Sequence, residues 1–202
     1  MTSRHPSVTG GLALALVVGL LSASVAQQNT SPESARKDND ELRAIYQADQ
    51  AARENLIGTV GNEAVTTLMN ADRMRRARVV ELYTDGGLNT GADYYHAAMI
   101  LQHGEDATDS LLAHELAVAA IVLGDTRAIS LAAAAEDRFL RRIGRSQRFG
   151  TQFSSARGFA GPWTLDPIEE GVTDALRKVM NRESLSEAER RLEMLNDASK
   201  AK

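Results

Sequence analysis

The chain contains no cysteine, four histidines and four prolines, and aromatic residues supply only 4% of its 202 positions. Without cysteine there is no disulfide framework, thiolate zinc site, iron–sulfur cluster or cysteine nucleophile. The histidines show no HExxH or comparable ligand spacing, which speaks against a zinc hydrolase and leaves no metal site to propose. No phosphate-loop or dinucleotide fingerprint occurs, and no serine sits in a nucleophile elbow, so no cofactor is expected. Positive charge is not in excess either. There are 23 Lys and Arg against 27 Asp and Glu, a net −4, with a pI near 5.6. General nucleic-acid binding needs the opposite balance. What is present is ordinary for a globular domain: 43% hydrophobic and 25% charged residues, enough for one core.

Residues 1–26 read as a secretory signal peptide. Arg4 and His5 make a weakly basic start, and Gly10 to Leu21 is uncharged and largely apolar. Ser24, Val25 and Ala26 then place small residues at the −3 and −1 positions before Gln27. The apolar stretch is shorter than the roughly 20 residues that span a bilayer, so no stable membrane span is expected after cleavage. The predicted destination is the bacterial periplasm or the extracellular medium. Residues 27–39 contain no apolar side chain larger than alanine and read as a disordered linker.

From residue 40 to 198 a single, mainly α domain is expected: a compact antiparallel helical bundle with a small C-terminal β-hairpin near 147–166. Leu42, Ile45, Ala48, Ala52 and Leu56 share a face of the first helix, which Gly58 and Gly61 break. A second helix should run from Asn62 to Tyr83 and stop at Asp85-Gly86-Gly87. Gly104, Gly124 and Gly144 then recur at twenty-residue intervals, dividing three helices that must pack antiparallel to their sequence neighbours. Thr90 with Asp93 is a capping-box start for the first of them. Leu116 to Leu123 is apolar all round and should be enclosed, with Leu116, Ala120 and Leu123 buried. Period-two alternation in 147–153 followed by Pro162 to Leu165 suggests the hairpin, with Gln147 and Thr151 on one side and Arg148 and Gln152 on the other. Asp166-Pro167 should open a helix over 168–181, and Ser184 with Glu187 should cap a last one ending near Asn196.

Several polar residues exceed what these elements need. Asp137, Arg138, Arg141, Arg142 and Arg145 crowd one helix end. There Asp137 and Arg141 have the spacing of a local ion pair, and positive charge suits the dipole. Gln147, Arg148, Thr151 and Gln152 surround Gly150. Asp49 with Arg53 and Asp72 with Arg73 repeat an acid-plus-arginine theme on two earlier helices, consistent with interhelical pairing that fixes register. His103 lies at a helix C-terminus, where an imidazolium is favoured and can bond the last carbonyls. The candidate ligand-binding set is Arg138, Arg148, Gln152, Asp137 and His103. The candidate structural set is Gln147, Gly150, Thr151, Asp49 and Arg53.

Some of these residues resemble a bacterial family, the domain of unknown function 6624. Asp137-Arg138, then Gly144, Gln147 and Phe149-Gly150-Thr151-Gln152, carry the likeness, with Asp49-Gln50, Arg53 and Gln102-His103. It runs roughly from Asp40 to Leu195, and the chain departs at Phe149, where many members have Tyr. The resemblance implies a mostly helical secreted or cytoplasmic domain and brings no activity, cofactor or catalytic residue. On all these grounds the leading expectation is a non-catalytic binding or interaction domain of the cell envelope. It would recognise a peptide, a protein or a small anionic ligand. An enzyme using Asp137, His103 or Asp49 as acid/base near the Gly-Thr-Gln segment is the alternative, and a purely structural module is the third.

Overall fold

The computed structural model describes residues 36–56, 62–155 and 161–200; the expected signal peptide and residues 27–35 of the expected linker lie outside them. The described residues form α1 (Asp40–Leu56), α2 (Asn62–Thr84), α3 (Gly91–Leu101), α4 (Ala107–Val122), α5 (Ala128–Arg142), β1 (Phe153–Ser154), β2 (Thr164–Leu165), α6 (Asp174–Val179) and α7 (Leu185–Lys200). The protein is mainly α, with helices packed side by side and one two-stranded antiparallel sheet towards the C-terminus.

Local chemistry accounts for the helix starts. Asn39 caps α1 through its side chain, which accepts from Leu42 N–H at 3.0 Å, while its own N–H donates to Asp93 at 2.8 Å. Asp38 accepts from the Thr90 hydroxyl at 2.7 Å. Residues 38 and 39 are thus tied to the start of α3. Thr90 and Asp93 form the expected capping box, and Ser184 with Glu187 forms another before α7, Glu187 accepting from Ser184 N–H at 2.7 Å and donating its own N–H to Ser184 Oγ at 3.3 Å.

The core joins Leu42, Val79 and Leu82 of the first helix pair to Tyr95, Ile100, Leu101, Leu116 and Leu131 of the next three. Alanine makes the helices meet closely: Ala97, Ala98, Ala113, Ala117, Ala120, Ala128, Ala132 and Ala135 are all buried. Near this core His96 stacks on Tyr46 with ring centroids 4.3 Å apart, and burial, then Arg127, pushes its imidazole pKa down. His114 Nδ1 lies 3.0 Å from the Ala132 carbonyl, tying α4 to α5.

Two expectations about elements need correction, and one gains detail. The α4 helix is not enclosed: Leu116 and Ala120 are buried, but Val122 is 80% and Leu123 47% exposed. Among the described residues α3 and α5 supply most of its packing, and its small residues give those neighbours enough contact from one side. The glycines at twenty-residue spacing are not equivalent. Gly124 and Gly144 take φ of +92° and +77° past helix ends. Gly104 instead is required by space, since a Cβ there would come within 2.1 Å of the Asp109 carboxylate. Finally, no helix begins at Ile168. The Gln147 N–H donates to the Pro167 carbonyl at 2.9 Å and Glu169 N–H to the Gln147 carbonyl at 2.7 Å, which holds 167–169 extended. The helix starts only at Asp174, capped by Thr173. No helix among the described residues is long and apolar enough to cross a membrane.

Candidate functional site

The segment after α5 is a loop wound around one carboxyl group. Asp137 is fully buried, and both its oxygens accept from the loop. Arg148 N–H donates at 2.7 Å and Phe149 N–H at 2.9 Å to Oδ1; Thr151 N–H at 3.0 Å and the Thr151 hydroxyl at 2.8 Å donate to Oδ2. Three backbone amides and a hydroxyl on one side chain hold the loop more firmly than strand pairing of so short a segment would. Gly150 turns the chain at φ +75°, a conformation that favours glycine. Gln147 completes the knot: its Nε2 donates to the carbonyls of Gln152 at 3.0 Å and Asp166 at 2.8 Å, and its Oε1 accepts from Gln152 N–H at 2.8 Å.

This geometry replaces the expected strand over 147–152. The hairpin reduces to Phe153–Ser154 against Thr164–Leu165, with Phe153 opposite Leu165 and Ser154 opposite Thr164. The alternation fails with it, because Gln147 and Gln152 are both buried. Asp137 does not pair with Arg141, whose Nε lies 3.0 Å from Asp166 Oδ2 instead. Arg148 turns away to Glu136, 3.3 Å distant.

Beside the knot lies a pocket of about 320 Å³ lined by Arg138, Arg141, Arg142 and Gln152. The three arginines stand at i, i+3 and i+4 on one face of α5. Their partners differ. Arg138 donates to Gln102 Oε1, and Arg142 donates to the Ser110 hydroxyl and the Gly104 carbonyl. Both cations therefore rest on neutral oxygens. Burial, followed by repulsion from Arg142, Arg53 and Arg141, pushes the Arg138 guanidinium down to about 10. Burial lowers Arg142 as well.

Behind Arg138 a second cluster joins α1, α2 and the end of α3. Arg53 bridges Asp49 at 3.0 Å and Asp72 at 2.9 Å, and Arg75 reaches Asp72 at 3.0 Å. Arg75, not Arg73, is thus the partner of Asp72. His103 Nε2 stands 3.8 Å from Asp49 Oδ2, and Arg76 donates to the His103 carbonyl at 3.3 Å. Burial, then Arg53, Arg138, Arg76 and Arg75, drives the His103 pKa from its ordinary 6.5 to about 2. The expected imidazolium at this helix end is corrected to a neutral ring. Burial, reinforced by four guanidinium groups, outweighs the helix dipole.

Sequence reasoning placed Arg138, Gln152, Asp137 and His103 in one candidate set, and the structure brings them along one polar seam. Asp137 faces the loop, His103 faces Asp49, and only Arg138 and Gln152 line the pocket. Arg148 lies off it. Arg141 and Arg142 line it too, although their position in the last turn of α5 fits a dipole role just as well. Gln102, Arg75 and Arg76 also belong to the seam, and their distance in sequence from Arg138 gave no local signal. No family model, curated protein or solved structure matches the chain.

Proposed function

We propose that this chain is an exported bacterial binding domain whose arginine pocket at the end of α5 receives an anionic group. The observation that carries the reading is the pairing of Arg138 and Arg142 with neutral oxygens only, inside a pocket lined by a third arginine. Burial and the repulsion of Arg142, Arg53 and Arg141 weigh on the Arg138 guanidinium, whereas the more exposed Arg142 is partly offset by Asp109 and Asp106; an incoming oxyanion relieves the desolvation and the repulsion at Arg138. The pocket's 320 Å³ suits a small group, at the lower edge of the about 300–1,000 Å³ of small-ligand sites. The residues that carry the resemblance to the family named above run along the same seam, from Asp49 and Arg53 through Gln102 and His103 to Asp137, Arg138 and Gln152.

Binding fits these groups better than acid/base chemistry. A histidine whose pKa lies near 2 is a weak base at neutral pH, and the Asp137 oxygens are occupied by the chain itself. Calorimetric titration with inorganic phosphate and pyrophosphate tests the reading. Saturable binding that Arg138→Gln and Arg142→Gln each abolish is the expected result; no heat from either anion overturns it. Export rests on the Ser24-Val25-Ala26 pattern, and N-terminal sequencing of the exported protein should begin at Gln27.

A further inference from the structure

The Gln152 amide sets a second condition on the ligand. The Thr151 hydroxyl gives its hydrogen to Asp137 Oδ2 at 2.8 Å, so towards Gln152 its oxygen has only acceptor capacity left. Gln152 must therefore meet it with nitrogen, and Nε2 donates to Thr151 Oγ1 at 2.8 Å and to the Ala134 carbonyl at 3.5 Å. The hydrogen-bond network thus decides which end of this amide faces inward. The main chain of Gln152 is committed as well. Its N–H donates to Gln147 Oε1 at 2.8 Å, and its carbonyl accepts from Gln147 Nε2 at 3.0 Å and Asp166 N–H at 3.2 Å. Among the described residues, Oε1 is left as the one polar atom of Gln152 without a bond inside the protein. The other three residues lining the pocket are arginines, which can only donate.

We infer that the pocket takes an oxyanion ester that also carries a hydroxyl, a phosphate monoester of a small polyol. Its phosphoryl oxygens accept from Arg138 and Arg142, and a hydroxyl donates to Gln152 Oε1. A phosphate monoester brings up to two negative charges and three oxygens to two guanidinium groups whose hydrogen bonds go to neutral oxygens. A carboxylate brings one charge and two oxygens, which a single arginine fork already satisfies. Asp137 and Thr151 are positioning residues in this scheme: they act on the ligand only through the amide they orient. Of the nearby carboxylates, Asp109 and Asp106 attract Arg142, with Asp109 also 3.6 Å from Arg76, and the others are engaged elsewhere. Asp137 is held by the loop, and Asp166 lies against Arg141.

The inference rests on the anion reading above, and calorimetry of the full chain separates the two. The probes are glycerol phosphate, propyl phosphate and glycerate. Glycerol phosphate should bind roughly tenfold or more tightly than propyl phosphate, since a site built to bond a hydroxyl discriminates against the analogue that lacks it. Gln152→Ala should close that gap, and Thr151→Val should narrow it by freeing the amide. Arg138→Gln should weaken both phosphates together. Circular dichroism checks each variant, and if Thr151→Val does not fold, Gln152→Ala carries the comparison. Propyl phosphate binding as tightly as glycerol phosphate removes the hydroxyl requirement and leaves the anion pocket standing. Glycerate matching glycerol phosphate overturns the assignment to a phosphate. Failure of both phosphates to bind removes the anion reading itself.

Discussion

At the α1–α2 end of the seam, Arg53 faces Asp49 and Asp72, and Arg75 faces Asp72; at the α5 end, Arg138 and Arg142 rest on an amide oxygen, a hydroxyl and a carbonyl. The two regions use the same side chain, yet their electrostatic states differ. In the first, opposite charges offset the desolvation of each other, and the pairs tie two helices in register. In the second, the cations repel one another and hydrogen-bond to neutral oxygens, with Asp109 and Asp106 attracting Arg142 alone without an ion pair. The difference teaches how to read clustered arginine: a count of guanidinium groups says little until each one's acceptor is known.

Removing the shared anchor of the neighbouring loop should give the largest effect. Asp137→Ala leaves three amides and a hydroxyl without their acceptor, and should cost about 3–5 kcal/mol in urea unfolding. A loss under 1 kcal/mol would show that the loop holds itself without the carboxyl group. At the balanced end, Arg53→Met strips Asp49 and Asp72 of their common partner. With some water access to the site allowed for, the expected loss is about 2–3 kcal/mol. An unchanged unfolding midpoint would erase the contrast between the two ends.

The junction between them reports through pH. His103 titrates near 2 in the native state and at its ordinary 6.5 when unfolded. Below 6.5 the unfolded chain therefore binds a proton that the native chain refuses. Its contribution to stability is complete above 6.5 and is lost as pH falls towards 2, at up to about 1.4 kcal/mol per pH unit. His96, also lowered by burial, adds to the same acid limb. His103→Asn should remove one proton's share of the slope, about 1–2 kcal/mol between pH 6.5 and 5. Identical slopes in the variant and the parent would mean that burial and the four arginines do not keep the proton off His103. The smallest change is expected at the unbalanced end. Arg138→Met removes one hydrogen bond but also a desolvated, repelled charge, and should shift stability by less than about 1 kcal/mol in either direction. A loss as large as that of Arg53→Met would show Arg138 to be a structural ion rather than a recognition group.

Much of the architecture could be read from local patterns. The capping boxes before α3 and α7 and the glycine stops of α2, α4 and α5 all act within a few residues, where propensity and hydrogen bonding are decided locally; the expected face of α1 holds at Leu42 and Ile45 but not at Ala48, which is exposed while Asp49 is buried. The loop at 147–152 could not be read this way. Its alternation suits a strand, but the acceptor that bends it, Asp137, sits on the preceding helix and offers four bonds that a strand cannot match. The same holds for residues 167–169, which Gln147 holds extended although Asp166-Pro167 is a good helix opening. Exposure of Val122 and Leu123 was likewise beyond reach, because an apolar helix says that something should cover it, not how many neighbours the chain supplies.

The candidate site divides along the same line. By itself the sequence determined that the protein is mainly helical and that Asp137, Arg138, Thr151 and Gln152 carry more polarity than a short loop needs. Those are properties of composition, period and spacing. Only the tertiary structure decided the roles of these groups: Asp137 turned inward to the loop, Arg148 turned out to Glu136, His103 neutral among arginines, and Arg138 with Arg142 facing one pocket. Charge state and hydrogen-bond partnership depend on which atoms meet across helices distant in sequence, and no local pattern records that meeting.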